Sequence, residues 1–296
     1  MPTDVPSSLT IYSWPSFCQA VNSPPGRAWT ATETPVSSEA DDRNESWDLG
    51  LGWQGALGML TSADPWPVGR AIIERDAREQ AARFIRMRGG RSWQWQREGD
   101  DFDVGLMMQG PDYWLALDDD DRGIVPTAIH IVASVGCTAD TQAETMAQRF
   151  CAIAAAVLTL ESSSMPVCLW TINHLEYRCQ PGSTLTSLVK IKESGQPLSM
   201  QRLAICAHPA YLRRLHFRLI EQVKFTAQAR ALQPGYGQPA NPKKTLLERH
   251  CGQGETVYLP TVSSGDITGT ATALALLLKT RLGIGNGDDY AGDEAP

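Results

Sequence analysis

The stretch from residue 128 to residue 173 limits the fold more than any other part of the chain. Residues 128–135 (AIHIVASV) form a mainly apolar run of the kind that fills a strand buried on both faces. Thr141 and Glu144 then show the T-x-x-E spacing of a capping box, so a helix is expected to start there. Ala143, Met146, Ala147, Phe150, Ile153, Ala154, Val157, Leu158 and Leu160 carry it to Ser163. Its second half is apolar almost all round, as in a helix pressed on a sheet. Pro166 closes the loop, and residues 167–173 (VCLWTIN) read as the next strand. Strand, long helix, strand is a crossover, which requires parallel pairing and a right-handed connection. The expected fold class is therefore α/β, with a mainly parallel central sheet flanked by helices.

The surrounding pattern extends this core. Pro67 sits where a helix can begin, and Ile72, Ile73, Ala77, Ala81, Phe84 and Ile85 recur at spacings of three and four before Gly89-Gly90. Residues 92–97 (SWQWQR) alternate with period two, which predicts a strand with Trp93 and Trp95 on one face. Asp100, Asp101 and Asp103 mark an acidic turn, and residues 118–121 mark another. Residues 185–193 and 201–207 read as two more strands around a Gly-Gln-Pro turn. Pro209 opens a helix with Leu212, Leu215, Leu219, Ile220 and Val223 inward and Arg213, Arg214, Arg218 and Lys224 on its other side. Residues 257–262 read as a short strand. A last helix is N-capped by Asp266, packs Ile267, Ala271, Leu274, Leu278 and Leu282, and stops at Gly283. Residues 23–46, rich in Pro, Ser, Thr and acids, read as a mobile linker behind a segment, residues 9–21, that docks as a turn of helix or a strand. The expected division is an N-terminal arm and linker over 1–46, a single α/β domain over 47–282, and a disordered acidic tail over 283–296.

Composition places this pattern in a class. Hydrophobic residues at 42% and charged residues at 20% of 296 residues are those of a globular chain. A net charge of −7 argues against a protein that coats polyanions over its whole surface. Residues 1–20 lack a basic leader and an unbroken apolar run, and the longest apolar stretches, 153–158 and 271–278, are too short to cross a bilayer. Seven cysteines, an odd number without CxxC spacing, point to reduced thiols in a cytoplasm.

Chemistry-bearing residues form no known constellation. Cys206 and His208 would share a strand face, while Cys168, His174, Cys179, His250 and Cys251 lack the compact pairing that zinc needs. Ser263-Ser264-Gly265-Asp266 leads into a helix without the lysine of a phosphate-binding loop, and no G-x-S-x-G is present. Neither catalysis nor a metal or other cofactor is expected. One stretch does suggest a ligand: Arg91, Trp93, Trp95 and Arg97 interleave aromatic and basic groups as single-strand stacking platforms do, next to a helix carrying Arg86 and Arg88. The competing reading is that Trp93 and Trp95 are the inner face of an ordinary half-buried sheet.

Four stretches resemble a family of uncharacterised proteins encoded by tailed phages and prophages: WQGALGMLTSADPWPVG (53–69), DVGLMMQGPDYW (103–114), the 129–160 strand and helix, and PAYLRRLHFRLIE (209–221). The order of elements is also similar to von Willebrand factor A-type domains, which often hold a divalent metal through D-x-S-x-S after the first strand. The corresponding place here reads Ala133-Ser134-Val135-Gly136-Cys137 and lacks the leading aspartate, so no metal is carried over. The resemblance implies a phage-encoded protein; a well-patterned core with no catalytic or metal constellation then predicts a non-enzymatic role through a protein partner in the host cytoplasm, with a place in the virion as the other location. The alternative is a single-stranded DNA-binding factor in phage replication or transcription, whose acidic tail recruits a polymerase or helicase.

Overall fold

The computed structural model describes residues 7–27, 37, 48–87, 93–96, 101–102, 114–117, 127–138, 140–179, 182–232, 236–262 and 266–283. Its centre is the expected crossover. Strand β5 (Ile129–Ser134) is buried along its whole length. Helix α4 (Ala143–Glu161) returns the chain to β6 (Val167–Glu176), which pairs with β5 in parallel from Ile129↔Val167 to Ser134↔Ile172. β7 (Thr184–Lys192) turns back antiparallel on β6. β9 (Glu255–Leu259) lies parallel on the free side of β5, and β1 (Ser7–Ser13) lies parallel on β7. The sheet order is thus β1-β7-β6-β5-β9, with the two-residue β8 (Gln238–Pro239) beside the end of β6. A separate antiparallel sheet holds β2 (Trp93–Gln96), β4 (Trp114–Leu117) and β3 (Asp101–Phe102) in the order β2-β4-β3.

Parity along the strands assigns the two faces of the main sheet. Ile129, Ile131 and Ala133 of β5, with Val167 and Leu169 of β6, meet the apolar side of α4 on one face. Helices α1 (Trp14–Asn22), α2 (Gly52–Met59), α3 (Pro67–Met87), α5 (Met200–Ala207) and α9 (Thr268–Leu282) join the same core through Phe17, Met59, Ile73, Leu203 and Leu274. On the other face Val132, Cys168, Trp170, Ile172 and Leu188 pack against Leu247 and Cys251 of α8 (Lys244–Cys251). Buried Lys192 pins the end of α4 to this framework, donating to the Val167 carbonyl at 2.9 Å and pairing with Glu161. Among the described residues no helix is long and apolar enough to cross a membrane.

Several local expectations are overturned. Residues 201–207 are helical rather than a strand: Leu203 through Ala207 are all buried, so their apparent alternation marks no face, and Ser199 caps α5 by accepting the Arg202 amide at 3.2 Å. The capping box does not form. Gln142 is the N-cap, and the Thr141 hydroxyl bonds that of Thr138 at 3.1 Å instead. Asp101 belongs to a strand, not a turn. Asp266 accepts the Thr268 amide at 2.7 Å, one residue ahead of the N-cap position at Ile267. The helix from Pro209 opens with a π-helical turn, Tyr211–His216, then continues as α6 (Phe217–Glu221) and, after a break, α7 (Lys224–Leu232). Arg213, Arg214 and Arg218, read as its outer side, are buried. By contrast, the segment at residues 9–21 docks as expected, as strand β1 followed by α1, and supplies the core residues Phe17 and Val21. Most of residues 23–46 and all of 284–296 lie outside the described residues, but Ser37 is buried against Glu221.

Candidate functional site

In an open α/β sheet, ligands gather at the carboxyl ends of the strands, where neighbouring connections diverge. β5 is that position here, between parallel partners on both sides. Its ladder with β9 ends at Leu259 because Pro260 has no N–H to offer, and pairing resumes only at the bridge between Cys137 and Val262. Arg149, from the second turn of α4, fills the interval. Its NH1 donates to the Ser134 carbonyl, its NH2 to the Leu259 and Pro260 carbonyls at 3.1 and 2.6 Å, and its Nε to the Thr270 hydroxyl of α9 at 3.0 Å. Carbonyls that the broken ladder leaves open are thereby satisfied by one rigid fork.

The guanidinium is fully buried, and burial pulls its pKa down to about 10, so it stays charged at neutral pH. Among the described residues no carboxylate lies against it. The arrangement is an internal cation held by neutral oxygens. Oxygens already bonded to it are not free to ligate a metal, and its charge repels one.

Beside it lies a cavity of about 10 Å³, lined in part by Cys137, Thr141, Cys206, His208 and Arg213. That is room for about one water. Burial pushes the Cys137 thiol up, against the opposing pull of Arg213 and Arg149. Burial likewise raises Cys206 and lowers His208 to about 4. At neutral pH the site therefore holds two protonated thiols and a neutral imidazole rather than an activated nucleophile. Cys206 and His208 do line one cavity, but as the end of a helix and its cap. Among the described residues no three His, Cys, Asp or Glu side chains converge as a metal site.

A second charged cluster surrounds the π-helical turn. Arg214 pairs with Asp48 at 2.7 Å, both buried. Glu221, fully buried, accepts the Ser37 amide at 2.9 Å and the Tyr236 hydroxyl at 2.6 Å. Arg218 lies 4.2 Å from the centre of the Trp53 ring. These groups tie the N-terminal third to the helices. An open groove of about 350 Å³, with Glu176 and Arg178 at its rim, lies where β6 and β8 end.

Of the residues expected to contact nucleic acid, Trp93 and Trp95 stand on β2, opposite Leu117 and Leu115 of β4. Arg88, Arg91 and Arg97, and the side chain of Arg86 near the end of α3, lie outside the described residues. Sequence reasoning passed over Arg149, Asp48 and Glu221. Arg149 had a usable signal, as a lone charge inside the apolar run from Met146 to Leu160.

These features define an α/β domain with a mostly parallel sheet, closed from within by an arginine at the carboxyl ends of its central strands. The family described as Domain of unknown function (DUF7192) matches residues 7–285, and the chain belongs to that family. No curated protein and no solved structure matches the chain.

Proposed function

We propose that this chain is a phage-encoded, non-enzymatic protein that acts through protein–protein contacts in the host cytoplasm, on a von Willebrand factor A-like core. Support for that core is the run of strand, long helix, parallel strand and antiparallel return in β5-α4-β6-β7, with β9 on the free side of β5. The observation that carries the functional reading is the Arg149 clamp. It occupies the crevice where such sheets take small ligands, and so favours contact with a macromolecule over a small ligand at this end of the sheet. The test is affinity capture from infected cells with the tagged chain, in competition with untagged chain. A single protein recovered in stoichiometric amount and displaced by competitor supports it; no displaceable protein overturns it.

The second reading is single-stranded DNA binding through Arg86, Arg88, Arg91, Trp93, Trp95 and Arg97. It is favoured by β2 belonging to a small antiparallel sheet of its own, the kind of surface on which bases stack. Tryptophan fluorescence titrated with oligonucleotide decides it: quenching at low salt that salt reverses supports binding, and none at low salt removes it.

A further inference from the structure

We infer that the outer edge of β1 pairs with β1 of a second copy of this chain, antiparallel about a two-fold axis through Thr10, joining two sheets into one. β1 ends the main sheet, and its seven residues follow β7 in unbroken parallel register from Ser7↔Thr184 to Ser13↔Lys190, with no bulge. Among the described residues no strand lies along its other edge, which leaves a row of backbone donors and acceptors without a ladder. Edge strands are commonly guarded by a charge, a proline or a bulge, and SSLTIYS has none of these. The opposite edge is different. β9 begins with Glu255, ion-paired to Arg281, and runs into Pro260.

Burial along β1 alternates, and Leu9 and Ile11 stand 36% and 44% exposed. They lie level with Thr186 and Leu188, on the face whose centre is covered by α8. An apolar strip therefore continues from that covered centre out to the uncapped edge.

The strand's own sequence selects the occupant. A copy centred on Thr10 sets Leu9 against Ile11 and Ile11 against Leu9, with Ser7 against Ser13 and Ser8 against Tyr12. Each exposed apolar side chain then meets an apolar cross-strand neighbour, the contact that stabilises antiparallel pairs. Two identical strands without charges bring no like-charge pair together, and the two-fold axis uses the same patch on both copies. The pairing supplies about six to eight interstrand hydrogen bonds. Strand-to-strand contact alone is small for a permanent complex, so association should depend on concentration. This pairing and the contact with another protein proposed above can each hold without the other.

Sedimentation velocity of the full chain from about 1 to about 200 μM tests it. The mass should move from one chain toward two, and Leu9→Lys with Ile11→Lys should hold it at one with an unchanged circular dichroism spectrum. Independently, Thr10→Cys should give, on oxidation, a disulfide joining residue 10 to residue 10, identified by peptide mapping. A chain that stays monomeric throughout, or a dimer that survives both lysines, overturns the pairing. Should the double variant fail to fold, the cross-link decides alone: its presence supports the pairing and its absence overturns it.

Discussion

Nε of Arg214 lies 2.7 Å from Oδ2 of Asp48, and neither side chain reaches solvent. The two residues are 166 positions apart, so the pair fastens the start of α2 to the π-helical turn. Asp48 also accepts the amides of Gly50 and Gly52, each at 3.1 Å, and thereby holds a loop in which Leu49, Gly50 and Gly52 all have positive φ. One carboxylate thus neutralises a buried cation and shapes the turn that leads into α2.

Asp48→Asn should therefore cost about 3–5 kcal/mol, the usual penalty for stranding one buried charge. Asp48→Asn combined with Arg214→Met should cost less than the two single losses summed, because the buried pair is then removed together. Urea denaturation of the three variants measures both quantities. Additive losses would show that the two side chains are not coupled.

Arg149 makes a different demand, since its partners are carbonyls and a hydroxyl. Arg149→Met should leave the Ser134, Leu259 and Pro260 carbonyls without their guanidinium donors, at a cost of about 3 kcal/mol. Arg149→Lys should recover only part of this, because a single ammonium cannot reach four acceptors set around a planar fork. Thermal unfolding should rank wild type above Lys, and Lys above Met. Equal melting points for Lys and wild type would mean that charge, not the fork, holds the strand ends.

The contrast between these arginines and the β5-α4-β6 crossover shows what was legible beforehand. A strand buried on both faces is apolar along most of its length, and a helix lying on it nearly so, which local patterning exposes directly. A 3.6-residue period puts Arg213, Arg214 and Arg218 on the side away from Leu212, Leu215 and Leu219. The π-helical turn at Tyr211–His216 breaks that period and sets them among buried groups. Asp48, the acceptor of Arg214, lies 166 residues away, and Glu221 meets Ser37 across 184 residues, which no window of periodicity spans. α5 was missed for the opposite reason. A short helix whose last five residues, Leu203 to Ala207, are all buried shows no polar position there to set its phase.

Gly254 offers a test of the entry to β9. Its φ of +139° suits glycine, and a Cβ there would lie 2.0 Å from the Ala128 carbonyl oxygen, a backbone atom that cannot swing aside. Gly254→Ala should cost about 2 kcal/mol or more, through both strain and the displaced start of the β5–β9 ladder. Hydrogen exchange should show faster exchange of the amides of β9 than of the β6–β7 hairpin. Uniform protection in the variant would contradict a local origin.

Acid should destabilise the protein through its buried histidines. Burial lowers His208 from its ordinary 6.5 to about 4 and His216 to about 3. His216 is fully buried with Nδ1 against the Ser187 hydroxyl at 3.1 Å, and His208, the C-cap residue of α5, accepts the Ala210 amide on its Nδ1 at 3.1 Å. The unfolded chain takes up these protons near pH 6.5, whereas the folded chain refuses them until pH 4 or below. Stability is therefore complete above pH 6.5 and drains away as pH falls through that window, by about 3 kcal/mol for His208. Denaturation midpoints from pH 7 to pH 4 should fall steadily, and His208→Asn, which keeps an acceptor without a titrating ring, should flatten the slope over the same interval. An unchanged slope in that variant would assign the acid sensitivity to other groups.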